Sequence, residues 1–325
     1  MQKILLTIFL IINSIHGVGV AEGFIFEPIP AVKYPPDNPW SKEKHVLGKK
    51  LFFDPVLSGD NSISWSTCHK PELGWTDGLP RSKGFKQKEL TRNAPTIINS
   101  AFNKSQFWDG RKPSLEEQAK APIQSPVEMN QDIEELIAEL NAIKEYPVLF
   151  SKAFGEKGIN LDKIAMAIAT FERSIISRTS PYDRYWKGDQ NALSVSAKKG
   201  MKLFFGKAKC SICHTGPLFT DQQFHNIGTP RSETLDSGRN AVTGEAFHIG
   251  AFKTPGLRDL SATGPYMHNG TFNTLEEVIE FYDMGGEEDE NKSPFISRIG
   301  LNVIEKKSLI DFLKSLISDE AQEYK

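Results

Sequence analysis

Cys210-Ser211-Ile212-Cys213-His214 sets two thiols three positions apart, with an imidazole directly after the second. This is the spacing by which a c-type haem is attached: both thiols add to vinyl groups, and the adjacent histidine is carried under the iron as an axial ligand. A redox dithiol and a zinc site are the competing uses, but zinc needs four ligands and no second cysteine pair completes the set. The remaining cysteine, Cys68, stands in Trp65-Ser66-Thr67-Cys68-His69, the same pattern with its first thiol replaced by an indole. That stretch reads either as a singly tethered haem or as a decayed copy holding none. The survival of both Cys68 and His69 favours the tether, because a free thiol is a liability in an oxidising compartment. All three cysteines are then spent on thioethers.

Outward from these motifs the chain repeats itself. Gly48-Lys49-Lys50-Leu51-Phe52-Phe53 precedes the first Cys-His pair and Gly200-Met201-Lys202-Leu203-Phe204-Phe205 the second; Thr76-Asp77 and Thr220-Asp221 follow them. Shared order implies shared architecture. The confident periodicity is helical: Ile133, Leu136, Ile137, Leu140 and Ile143 share one face, as do Ile164, Ile168, Phe171 and Ile175. Val278 to Tyr282 and Ile304 to Ile317 are further amphipathic runs, the first opened by Thr274 with Glu277 at capping-box spacing. No series of alternating strands is present. Residues 24–39 and 229–250, rich in Pro and Gly, read as long surface loops.

Composition narrows the function classes. The 325 residues carry 39 Lys and Arg against 41 Asp and Glu, a net charge of −2 that gives no electrostatic case for nucleic acid or an anionic membrane. The length favours two domains at roughly 150 residues each. At the N-terminus Lys3, the apolar run Ile4 to Ile12 and the small residues Gly19-Val20-Ala21 read as an export signal over residues 1–21. The apolar run stops at Asn13, short of the roughly 20 residues that span a bilayer, so no integral membrane segment is expected in the mature chain. Without Lys3 the basic residues number 38 against 41 acidic, a mature charge of −3.

Several further segments carry a family resemblance: Leu51-Phe52-Phe53-Asp54-Pro55, Arg92-Asn93-Ala94-Pro95-Thr96, Phe107-Trp108-Asp109-Gly110-Arg111, Ser114 to Ala119, Pro126-Val127-Glu128-Met129, Lys253 to Arg258, and Pro265 to Gly270. With the two haem motifs they make the chain similar to the bacterial di-haem cytochrome c peroxidases, and more closely to their MauG-like branch, over roughly residues 47–316. The resemblance implies a mainly α fold of two cytochrome c-like domains, each built around one c-type haem. After the signal peptide these would be an N-terminal peroxidatic domain, 22–185, and a C-terminal electron-transfer domain, 186–325, in a periplasmic protein.

The same resemblance assigns roles. His69 is the proximal ligand of the peroxide-reacting haem, with Gln118, Pro122 and Glu128 on its distal side and Glu128 as the acid/base that moves a proton between peroxide oxygens. Trp108 lies between the haems as an electron path. Asn93, Thr263 and Pro265 supply oxygens to calcium. Phe85 stands where other members place a distal histidine, leaving that haem open. Tyr282 matches the sixth ligand of the His214 haem, a methionine in other peroxidases and a tyrosine in MauG; Met284 is its rival, and Met267, His248 and His268 are weaker contenders. His45 and His225 read as ordinary surface or loop residues.

Three activities are consistent with this. One is a peroxidase that reduces hydrogen peroxide with electrons from a small cytochrome c or a copper protein, a basic donor being steered by the acidic chain. Another is a MauG-like oxidation of tryptophans in a partner protein, although Ala208 replaces the surface tryptophan that MauG carries there. The third is a mono-haem electron carrier. A homodimer is left open.

Overall fold

The computed structural model describes residues 19–21, 24–230 and 235–319, so all but the last three residues of the 1–21 export-signal reading lie outside the described residues. The chain is mainly helical. Its first half contains α1 (Lys42–Phe53), α2 (Trp65–Cys68), α3 (Leu115–Gln124), α4 (Ile133–Ala142), α5 (Glu145–Phe154) and α6 (Leu161–Glu172). The second contains α7 (Pro181–Trp186), α8 (Val195–Phe205), α9 (Asn240–Thr243), α10 (Leu275–Met284) and α11 (Val303–Lys314). Strands among the described residues are confined to two short antiparallel pairs, one of them joining Phe224–His225 to Phe252–Lys253. No helix among the described residues is long and apolar enough to cross a membrane.

The apolar side chains collect into two cores. Leu47, Leu51, Phe52, Ile164, Ile168 and Phe171 anchor the first, and Met201, Phe204, Leu309, Phe312 and Leu316 the second. Each core is organised by one helix crossing made possible by a glycine. A Cβ on Gly48 of α1 would overlap the Ala167 carbonyl of α6, and one on Gly200 of α8 would overlap the Ser308 carbonyl of α11. These are the repeat glycines of the sequence, so the duplication is one of helix packing as well as of motif.

The repeat extends into the loops. Asn99 and Asp259 both adopt left-handed φ, each before a short 3-10 turn, Ser100–Phe102 and Leu260–Ala262. The isolated bridges Gln106 to Lys112 and Tyr266 to Phe272 correspond, and each is followed by a helix capped by a hydroxyl, Ser114 on α3 and Thr274 on α10. Thr274 and Glu277 form the expected capping box.

Two sequence expectations shift. Ile143 and Ile304 were placed on apolar faces, yet Ile143 ends α4 as its C-cap and is exposed, and Ile304 in the first turn of α11 is 73% exposed. Periodicity alone does not mark where a helix stops facing the core. The two supposed surface loops are also tied down. Asn38 is fully buried, donating to Glu116 and the Met166 carbonyl and accepting from Lys44, and Asp236 receives a bidentate pair from Arg92.

Gly200→Ala is expected to lower unfolding free energy by about 1–3 kcal/mol through overpacking at the α8–α11 crossing. Denaturant titration of the holoprotein checks this; an unchanged midpoint would show that the crossing opens freely.

Candidate functional site

Both Cys-His pairs sit on a tight helical turn, and the turn is the same in each half. The His69 amide donates to the Trp65 carbonyl at 2.9 Å, and the His214 amide to the Cys210 carbonyl at 2.9 Å. Trp75 and Phe219 then adopt φ of 61° and 56°, which L side chains rarely do. That turn brings their carbonyls onto the imidazoles: His69 Nδ1 lies 3.1 Å from the Trp75 oxygen and His214 Nδ1 3.0 Å from that of Phe219. A carbonyl only accepts, so Nδ1 carries the proton in both rings, and Nε2 of the neutral imidazole is the coordinating nitrogen. Burial holds both histidines below their ordinary pKa, with the two carbonyls pulling the other way. Neutral imidazole is the form that binds a metal.

One continuous cavity of about 990 Å³ reaches both histidines. Cys68, His69, Asn93, Trp108, Gln118, Pro122, Glu128, Cys210, Cys213, His214, Thr263, Pro265 and Tyr282 all line it. Burial pushes the Cys68 and Cys210 thiols up to about 12 and Cys213 to about 11, so these are not reactive thiolates. The walls also hold buried polar atoms with no partner among the described residues: Trp65 Nε1, Ser82 Oγ, Ser100 Oγ, Gln118 Oε1 and both Glu172 oxygens. Orphaned polar atoms of this kind call for a polar occupant. An amphipathic macrocycle with carboxylate arms and an iron at its centre fits that lining and the donor set.

On the first-half side, α3 carries Gln118 and Pro122 into the cavity, and the turn after it carries Glu128. Burial lifts the Glu128 carboxyl above the ordinary range, against the pull of the Arg111 guanidinium and a hydrogen bond from Ser125. Arg111 is itself paired with Asp109 at 3.0 Å and lies 3.5 Å over the Phe107 ring. Phe85 does not line the cavity with these residues. It packs against the first core, and its amide donates to the Glu128 carbonyl at 2.7 Å, so the loop braces the Glu128 backbone.

The duplication relates α3 to α10, Leu115 matching Leu275, and therefore Pro122 to Tyr282. Tyr282 lines the cavity, whereas Met284 is 62% exposed and does not. Burial raises the Tyr282 phenol pKa, and the nearby Cys210 and Cys213 add to this. By the same relation Trp108 matches His268. Trp108 is held from both halves: its Nε1 donates to the Asn93 carbonyl at 3.0 Å, and its own carbonyl accepts from the Lys253 amide at 2.8 Å. Asn93 commits its side-chain amide to the Leu79 carbonyl, which leaves Oδ1 as the atom for a cation.

Three groups escaped the sequence reading. Glu172 at the end of α6 is wholly buried, and burial pushes its carboxyl up to about 8. Lys253 is brought down to about 8 by burial, its Nζ donating to the Ser105 carbonyl at 2.6 Å. His225 is not an ordinary loop residue: it pairs with Asp221 at 2.8 Å on the cavity wall. Nothing in their local sequence separates them from solvated charges; burial is a property of the packed fold.

Comparison with known proteins follows the same lines. Residues 42–191 match the family described as di-haem cytochrome c peroxidase. The chain is 42% identical to the methylamine utilization protein MauG of Methylorubrum extorquens, covering 90% of this chain and 83% of that one. It is 39% identical to a cytochrome-c peroxidase of Pseudomonas sp. (strain SCT), covering 90% and 86%. Among solved structures, a MauG-like protein associated with microbial copper homeostasis superposes with a TM-score of 0.85 at 33% identity, covering 90% of this chain and 94% of that one.

Glu172 gives a pH test. Its folded pKa lies above the unfolded carboxyl value, so the fold binds this proton more tightly than the unfolded chain does. The stabilisation is therefore complete below the unfolded value near pH 4.5 and is lost as pH rises through about 8. Relative to Glu172→Gln, the protein should lose up to about 1.4 kcal/mol of unfolding free energy per pH unit across that window. Parallel pH profiles for the two proteins would refute it.

Proposed function

This chain belongs to the di-haem cytochrome c peroxidase family, and from that premise we propose that it is a periplasmic enzyme reducing hydrogen peroxide to water with electrons from a small redox protein. One c-type haem would be held by His69 and Cys68, a second by His214, Cys210, Cys213 and Tyr282, and calcium by Asn93, Thr263 and Pro265. The observation that carries the reading is the duplicated histidine geometry on one cavity whose carboxyls, the half-buried Glu128 and the buried Glu172 among them, come from the first half alone among the described residues. The haems supply the redox chemistry, exchanging electrons one at a time between donor and peroxide.

The chain's own residues do the rest. The Trp75 and Phe219 carbonyls fix the tautomer and ring orientation of the two ligands and raise their basicity. Glu128, its pKa lifted by burial, keeps its proton to higher pH than a solvated carboxyl does and can deliver it to the departing peroxide oxygen. Gln118 offers a buried amide oxygen that has no other partner among the described residues and can orient peroxide or a water. Pro122 presents no ligating atom, which supports an open position on that side. Trp108, tethered to both halves, keeps an aromatic ring between the two sites.

Tyr282 supports the tryptophan-oxidising reading as a second activity. A phenol raised in pKa by burial is a ligand only when a cation draws off its proton. The resulting phenolate favours the higher oxidation states of iron, so the second site would store oxidising equivalents for a protein substrate. Ala208, buried at 5% exposure, offers no surface aromatic on that route.

Haem stoichiometry tests the proposal first: a pyridine haemochrome assay is expected to give two haems per chain, and one alone would leave an electron carrier. Glu128→Gln should then lower peroxide turnover by about 10²–10⁴-fold with both haem spectra retained. An unchanged rate removes Glu128 from the chemistry.

A further inference from the structure

Trp65 is the position at which this chain departs from its own repeat. The carbonyls of Trp65 and Cys210 accept the same hydrogen bond, from His69 and His214 respectively, at the same 2.9 Å. The indole therefore occupies the station of a thiol that would be bonded to the cofactor, and it lines the cavity. Its ring stacks on His69, with centroids 6.1 Å apart and planes at 22°. It is 3% exposed, and its Nε1–H has no partner among the described residues.

Packing alone does not account for an indole here. Phenylalanine would fill the same space without a buried N–H that the chain leaves to the cavity's occupant to satisfy. What indole has and phenylalanine lacks is ready one-electron oxidation, and it has this in ring contact with the ligand of the peroxide-reacting site. Phe52 meets Trp65 at a tilt, 6.1 Å away, and Trp75 edge-on at 5.8 Å, and Trp75 reaches Phe171 edge-on at 6.1 Å. His45, 5.6 Å beyond Phe171, brings this aromatic file to the surface. Trp108, in contrast, has its N–H committed to Asn93 and faces the other half of the molecule.

We propose that Trp65 is an internal electron donor to the N-terminal site, and that it is the residue oxygenated when peroxide arrives without an external reductant. The inference rests on the peroxidase reading. Two electrons pass from the indole to hydrogen peroxide, whose O–O bond breaks. In net terms one ring C–H and one H₂O₂ give one ring C–OH and one H₂O. Trp65 thereby spares the rest of the site, at the expense of its own ring, when the donor protein is scarce.

The test uses the holoenzyme treated with a small excess of hydrogen peroxide, digested, and mapped by mass spectrometry. Trp65 should gain an oxygen atom ahead of Trp75 and Trp108, and reduced cytochrome c present during treatment should suppress the gain. Trp65→Phe should bleach several-fold faster under peroxide, and Trp65→Tyr, which restores an oxidisable ring, should recover the slower rate. Trp65 left unmodified while peroxide is consumed and other aromatics take the oxygen overturns the proposal. So does equal oxygenation in Cys68→Ala stripped of its N-terminal haem, which would mark the reaction as one with bulk peroxide. A holoenzyme that consumes no peroxide even with reduced cytochrome c overturns this proposal and the peroxidase reading together.

Discussion

Two backbone carbonyls, those of Trp75 and Phe219, are the constraint on which the site depends. Each belongs to a residue forced into left-handed φ, a conformation that costs a bulky residue of order 1 kcal/mol or more and persists only where the surroundings over-determine it. The return is an imidazole with its proton fixed on Nδ1 and its orientation set before any metal binds. The motif of two thiols and a histidine fixes where a haem is attached. It does not aim the histidine; the following turn does, and the cores behind it hold the turn. Trp75 packs on Phe52 and Phe171, Phe219 on Tyr182, Phe204 and Phe312, so the aromatic side chain of each strained residue is clamped by its own domain core.

Duplication then makes the differences between the halves the informative part. The helix crossings at Gly48 and Gly200, the turns and the histidine geometry are common ground. Against that background Pro122 stands where Tyr282 stands, Trp65 where Cys210 stands, and Trp108 where His268 stands. Each exchange removes a ligating or bonding atom from one half or adds one to the other. On the proposed reading the half with Pro122 and Glu128 would have an unligated face and a proton donor, and the half with Tyr282 would add a phenolic oxygen to the His214 nitrogen as its second ligand. A division between peroxide chemistry and electron storage needs no new fold, only these substitutions on two copies of one.

Much of this was legible in the residues, and the reason lies in what each signal encodes. Covalent attachment demands fixed spacing, so Cys210, Cys213, His214, Cys68 and His69 stand out in a single sequence. Helix caps are equally local, as the Thr274 and Glu277 box illustrates. The choice between Tyr282 and Met284 was open because two residues apart on a helix face different ways, and only the fold says which way is inward; it turns Met284 to solvent. Glu172, Lys253 and the His225–Asp221 pair were not legible at all, since an acid or a lysine is read as solvated until the packing that buries it is known. The loops around Asn38 and Asp236 misled for a related reason: their tethers are hydrogen bonds to residues far away in the chain.

Those distant tethers bear on how the two sites communicate. Arg92 joins Asp109 of the first half to Asp236 of the second, at 2.7 Å to each, and Arg239 of the second half donates to the Asp109 and Gly110 carbonyls. With Lys253 bonded to the Ser105 and Trp108 carbonyls, the segment from Ser105 to Gly110 is held on both sides by buried or half-buried charge. Charged pairs removed from water are poor sources of net stability but strong selectors of one geometry, because any slip leaves a charge unpaired in a low-dielectric setting. On the proposed reading electrons would pass between the two sites, a process that depends steeply on separation, and these charge pairs would hold that separation fixed. The ion network at Arg92 therefore belongs with the histidine turns: the turns aim His69 and His214 within each half, and the network ties the two halves together around Trp108.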